Sequence, residues 1–199
     1  MKIKCGNRRL RFLFLALLAT GGILTLRRES AAAFKKTKEA PEYKEFLNHV
    51  QDYVRLHKSL ESTLPPLKQT DVPELITAHE QALARKIREA RPDAKPGDIF
   101  TKDATEAFRK AVHHELHGTE GRHARKTLRQ GEPLKEMHLE INQAYPDGLP
   151  FTTVPPSLLL KFPKLPAELA YRIVGRDLVL MDVKASLVID LIKDLLPQT

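Results

Sequence analysis

Four histidines lie within one short stretch of the sequence, AVHHELHGTEGRHARK. His113 and His117 are four residues apart, so a helix would place both on one face, which is a spacing suited to two metal ligands. The sequence therefore predicts a candidate site for a divalent metal ion. Its ligands would come from His113, His117, Glu120 and His123.

The same stretch lacks the spacing of a catalytic zinc site. A zinc protease motif needs a glutamate directly after the first histidine, whereas here His114 follows His113 and Glu115 comes one residue later. No serine stands in a Gly-x-Ser-x-Gly turn, and the chain has no glycine-rich phosphate loop. We therefore name no catalytic residue. Since His113, His114 and His117 directly precede Gly118, capping of a helix C-terminus is favoured over metal binding.

A basic segment follows the histidines. Its candidate anion-binding residues are Arg122, Arg125, Lys126 and Arg129. Such a patch would meet an anionic envelope component, for example lipid headgroups, and the alternative is an ordinary solvated helix face. No aromatic residue lies between Arg109 and Arg129 to stack on bases, which argues against a nucleic-acid partner.

The charge distribution separates a leader from the body of the chain. The 199 residues carry a net charge of +8, but residues 1–33 hold seven basic residues and one acidic residue. The uncharged run at residues 12–26 is too short for a standard membrane span, and three alanines follow at 31–33. This pattern predicts a secretory signal peptide and export to the periplasm or the extracellular space. Because charged residues 27–29 precede the alanines, an uncleaved membrane anchor through residues 12–26 is the alternative.

The single cysteine, Cys5, lies in this leader. Residues 34–199 therefore contain no cysteine, which excludes an intramolecular disulfide, a cysteine zinc site and thiol catalysis in the body.

The apolar spacing in residues 34–130 predicts three helices. The first two would form an antiparallel hairpin over 41–60 and 72–91, with Asp71 as the N-cap of the second. The third would start at Thr101 or Asp103 and end before Gly118, and a short basic helix would follow. We expect the third helix to cover the apolar seam of the hairpin, with a partner or a second copy as the alternative. His57 and His79 are predicted to be partnered seam residues.

Residues 131–199 are predicted to form a proline-rich crossing segment and a small antiparallel sheet. Apolar and polar residues alternate around Leu139, which indicates a strand at 137–141, and five prolines in 150–166 indicate an extended chain. Segments 171–174 and 178–183 flank Gly175 as a hairpin, and 187–192 is a third strand, with a helix as the alternative. We expect Asp182 and Asp190 to be solvated. The predicted fold class is α+β, with helices first and an antiparallel β-meander last.

The C-terminal part also carries a resemblance. The run VPPSLLLKFPKLPAELAYRIVGRDLVLMD resembles the end of uncharacterised exported bacterial proteins. The segment YRIVGRDLVLMDVKASLVIDLI is similar to the hairpin module that ends periplasmic proteins of the nickel/cobalt-homeostasis type. The resemblance implies an envelope location and a C-terminal β-meander, and it assigns no functional residue.

Taken together, the sequence predicts an exported cell-envelope protein with a non-enzymatic binding or scaffolding role toward an anionic component or a protein. The alternative is a periplasmic divalent-metal-binding protein that uses the histidine cluster.

Overall fold

The fold is α+β, as predicted. A computed structural model describes residues 40–117, 121–129, 139–145 and 154–197, so the leader lies outside the described residues. A 3-10 turn at Pro41–Tyr43 precedes the helices α1 (Lys44–Glu61), α2 (Pro73–Ala90), α3 (Lys102–His117), α4 (Gly121–Arg129) and α5 (Pro156–Leu159). The strands β1 (Leu169–Val174), β2 (Asp177–Asp182) and β3 (Leu187–Ile192) form an antiparallel meander in that order.

The helix boundaries follow from local sequence. Pro73 occupies the first turn of α2, where its missing N–H costs nothing. The N-cap is Val72, so the predicted cap, Asp71, lies one residue too early. For α3 the structure selects Thr101, whose hydroxyl accepts a hydrogen bond from the amide of Ala104 at 3.4 Å.

An aromatic cluster centred on Phe108 joins the helices to the sheet. Its ring meets Phe46, Phe100 and Phe162 edge-on, with centroids 4.7 to 5.5 Å apart. It meets Tyr171 of β1 at 5.7 Å. Such pairs contribute about 0.5–1.5 kcal/mol each beyond area burial, so Phe108 of α3 ties α1 and β1 into one core.

The third helix does not cover the whole hairpin seam, contrary to the expectation. In α2 the C-terminal stripe residues Leu83 and Ile87 are buried, whereas Val72, Leu75 and Ile76 are 46%, 54% and 36% exposed. The reason is that the buried face of α3 is occupied by the cluster around Phe108. The N-terminal half of α2 is therefore left without a cover among the described residues.

The second face of the sheet is packed by residues 139–145 rather than by a strand. The predicted strand is wrong where it is described, because Ile141 and Asn142 form a turn and Asn142 has a φ of 63°. The end of α2 holds this turn in place: Arg88 donates to the Asn142 carbonyl at 2.7 Å, and the Asn142 amide donates to the Arg91 carbonyl at 2.7 Å. Met137 and His138 lie outside the described residues.

The predicted third strand is confirmed, and it contains a bulge. Leu180 pairs with Asp190 but Met181 pairs with Val188, so Ile189 is an extra residue in β3. Because Leu180 belongs to the helix-facing core, its partner Asp190 faces the helices together with Ile189. In a strand without the bulge, alternate residues share a face, so Asp190 would lie on the same face as Val188, away from the helices.

Candidate functional site

The uncovered half of α2 borders a groove, which we call the α2 groove. Its volume is ≈ 870 Å³. The floor is formed by apolar residues from the α1–α2 loop, from α2 and from the β2–β3 turn: Leu64, Pro66, Leu67, Ile76 and Val183. Of these, Leu67 and Val183 are 44% and 47% exposed, so the groove leaves apolar surface in contact with water.

Charged residues form the rim of the α2 groove. Lys184 contacts Glu61 at 2.7 and 2.9 Å, and Lys58 contacts Glu168 at 3.0 Å. The lysine side chains are 52% and 61% exposed, whereas the two glutamates are 27% and 13% exposed. The cationic ends of both pairs therefore face the solvent. The hydrogen bond from Lys184 lowers the pKa of Glu61 despite its partial burial.

A buried carboxylate, Asp182, lies directly behind the groove. It accepts hydrogen bonds from the Tyr53 hydroxyl at 2.7 Å and from His57 Nδ1 at 2.5 Å. Its other oxygen accepts the amides of Lys184 and Ala185 at 3.0 and 2.9 Å. Asp182 is fully buried, so the expectation of a solvated side chain is wrong, because α1 packs over the end of β2. Asp182 thereby sets the turn that displays Val183 and Lys184 in the groove.

His57 links this carboxylate to the rim. The ring is fully buried, and its Nε2 lies 3.4 Å from Glu61 Oε2. Burial alone would lower the pKa of His57, but the hydrogen bond and charge of Asp182, with the charge of Glu61, raise it above its usual value. His57 is thus a partnered core residue, as predicted. His79, by contrast, is half-buried on the groove rim.

The Asp182–His57 pair resembles the orienting half of a hydrolytic triad, but its surroundings do not fit nucleophilic catalysis. His57 Nε2 faces a carboxylate rather than a hydroxyl, and the nearby Ser62 hydroxyl donates to the Ser59 carbonyl at 2.7 Å. Because the ring has no exposed surface, the pair acts as an anchor between α1 and β2.

A second buried carboxylate anchors the loop before α3. Asp190 accepts the amides of Gly97, Ile99 and Phe100 at 2.9, 2.7 and 2.7 Å. Burial raises the pKa of Asp190, and these hydrogen bonds partly oppose the shift. The expectation of a solvated Asp190 is wrong because the bulge turns it toward the helices. The sequence signal that could have indicated this was an aspartate inside the otherwise apolar strand LVIDLI.

The structure brings together two of the four predicted metal ligands. The rings of His113 and His117 stack with centroids 4.1 Å apart on an exposed face. His117 Nδ1 lies 2.9 Å from the His113 carbonyl, which can only accept, so Nδ1 carries the proton and Nε2 keeps its lone pair. Within the described residues no group of three or more potential ligands forms. Glu120 and the side chain of His123 lie outside the described residues.

In the predicted anion-binding patch, one of the four basic side chains makes a hydrogen bond within the fold. The Arg125 guanidinium donates to the Leu116 carbonyl and so caps the C-terminus of α3. The start of α4 lies close to the end of α3, and Gly121 allows this contact because a Cβ there would lie 2.5 Å from the Leu116 carbonyl oxygen. Arg122 and Lys126 are exposed on α4, and the Arg129 side chain lies outside the described residues.

Comparison with the models of known protein families, with curated proteins and with solved structures gives no match for this chain. In the part of the chain that the structure describes, no helix combines the length and the apolar character needed to cross a bilayer.

Proposed function

We propose that this chain is a non-enzymatic binding protein of the cell envelope and that its α2 groove holds an apolar segment of a partner protein. The observation that carries the proposal is the uncovered apolar start of α2, where Val72, Leu75 and Ile76 are exposed and Ile76 lines the groove. Monomeric proteins rarely leave such residues grouped together without a binding role.

The composition of the groove supports a protein segment as the occupant. An apolar floor with a charged rim is the usual anatomy of a protein interface. The groove lining carries Lys58 and Lys184 together with Glu61 and Glu80, so a partner segment would meet charges of both signs around the apolar floor. The occupant is therefore an apolar segment with polar flanks, in an extended or helical conformation.

Selection of displayed random peptides of about 12 residues tests this occupant. We expect selected peptides to be rich in apolar residues. Ile76→Ser should weaken their binding about tenfold, or ~1.4 kcal/mol, because it places a hydroxyl in the apolar floor. Lys184→Ala should weaken binding less, because it removes a rim charge that is already paired with Glu61. Affinities measured by calorimetry check both expectations.

The matched control is Leu159→Ser, which alters an apolar residue of similar exposure outside the groove, 42% against 36% for Ile76. Peptides whose binding is the same in Ile76→Ser and in the unmodified chain would exclude the groove as the docking site. Dimerisation of the chain that Ile76→Ser abolishes would reassign the groove to a second copy.

Export is the second half of the proposal. Its support is the basic, apolar and small-residue order of residues 1–33. Cell fractionation with N-terminal sequencing tests it: we expect recovery from the envelope or the medium. A chain with Met1 intact in the cytosolic fraction would contradict export.

A second candidate function is divalent-metal binding at His113 and His117. It is supported by the close approach of the two rings and by the hydrogen bond from Nδ1 of His117 to the His113 carbonyl. In the neutral ring this hydrogen bond leaves Nε2 free to coordinate a metal ion. This candidate fits the alternative predicted from the histidine cluster.

Separate calorimetric titrations with Cu²⁺, Ni²⁺, Co²⁺ and Zn²⁺ test the metal candidate. We expect the tightest binding for Cu²⁺, following the usual order of divalent metals. Binding should be lost in the His113→Ala/His117→Ala double variant and kept in His79→Ala. No binding heat with any of the four ions, or heat that survives the double variant, would remove this candidate.

A further inference from the structure

A second exposed apolar feature lies far along the chain, at the short helix α5. Leu159 and Leu160 at its C-terminal end are 42% and 64% exposed. Their neighbours Leu158 and Phe162 are buried in the core, so the segment is held firmly on both sides of the exposed pair. The two leucines therefore project from a fixed support.

Leu159 and Leu160 line a cavity of ≈ 310 Å³ whose charged lining residues are Lys164 and Arg172, both basic. Lys161 is exposed in the same segment, but it lines a different pocket together with Glu42, Asp103 and Glu106. The nearby carboxylate Glu168 is engaged by Lys58 at 3.0 Å. Exposed apolar side chains beside the cations Lys164 and Arg172 match the interface of a bilayer with anionic headgroups.

We propose that the α5 tip, defined as residues 156–164, docks on the surface of an anionic lipid bilayer. Leu159 and Leu160 enter the boundary between headgroups and acyl chains, and Lys164 contacts the phosphates. A bilayer is favoured over a protein because the two exposed leucines share their cavity with Lys164 and Arg172, which gives charge complementarity to an anionic surface. This contact is separate from the α2 groove and from the basic residues of α4.

The absence of tryptophan from the sequence allows a site-specific test in the full chain. In Leu160→Trp the introduced residue is the only tryptophan, so its emission reports on this position and not on contacts of the leader. We expect vesicles of phosphatidylcholine with phosphatidylglycerol to shift its emission to shorter wavelength and brominated lipids to quench it. Vesicles of phosphatidylcholine alone should give a several-fold smaller shift, and added salt should weaken the effect.

Two matched variants complete the experiment. Leu75→Trp places the reporter at a similarly exposed leucine on α2, and we expect no shift there. Adding Lys164→Glu to Leu160→Trp should reduce the shift several-fold, while circular dichroism confirms that the variant is folded. An unchanged emission of Leu160→Trp with anionic vesicles, or equal shifts at both tryptophans, would overturn the proposal.

Discussion

Asp182→Ala is expected to lower the free energy of unfolding by about 3–5 kcal/mol, since it leaves a buried histidine and other buried donors without their acceptor. Tyr53, His57 and the amides of Lys184 and Ala185 all donate to this one carboxylate. Urea unfolding followed by circular dichroism measures the loss. The effect is large because none of these buried groups can regain water without opening the contact between α1 and β2.

The control for this variant is Asp177→Ala at the other end of β2. Asp177 accepts the amide of Asp194 at 2.8 Å in an exposed setting, so its loss should cost about 1 kcal/mol or less. Equal losses in the two variants would contradict the role of Asp182 as an anchor.

The effect of Asp182→Ala should also depend on pH. The folded chain raises the pKa of His57, so this group stabilises the fold fully below its unfolded pKa. That contribution disappears as the pH rises through the folded pKa. The difference in stability between the unmodified chain and Asp182→Ala should therefore shrink from mildly acidic to alkaline pH. A difference that grows with pH would contradict the arrangement of charges around His57.

Asp190→Ala is the second large expected effect, at about 3 kcal/mol. The change leaves the buried amides of Ile99 and Phe100, and the partly buried amide of Gly97, without their acceptor. Because these amides fix the loop that leads into α3, we also expect local opening of this loop. Urea unfolding gives the loss of stability, and amide hydrogen exchange at Ile99 and Phe100 reports the opening.

Asp98→Ala is a matched control from the same loop. Asp98 accepts the amide of Lys95 at 3.0 Å at an exposed position, so we expect a loss of about 1 kcal/mol or less. Unchanged exchange at Ile99 in Asp190→Ala would show that the loop does not depend on the carboxylate.

The two anchors also bear on the proposed binding role. Asp182 holds the turn that carries Val183 and Lys184, which are parts of the α2 groove. The buried carboxylate of Asp182 therefore supports the shape of an apolar surface, while Asp190 holds the loop before α3.

Local patterns predicted much of the architecture. The amphipathic spacing of α1, the prolines that bound α2, the threonine that caps α3 and the glycine of the β1–β2 turn all act through neighbouring residues. For that reason the helices, the meander and the third strand could be predicted before any contact was known. The candidate metal pair was also predictable, because residues four apart on a helix meet whatever else surrounds them.

Residues distant in the chain decided the rest. Whether α3 covers α2 depended on Phe108, whose ring packs among residues from several elements. The bulge at Ile189 reversed the face on which simple alternation places Asp190. Asp182 meets His57 across 125 positions of sequence. Periodicity tells which residues share a face of one element, but only packing between elements determines which faces are buried, which carboxylates find donors and which apolar surface is left open to a partner.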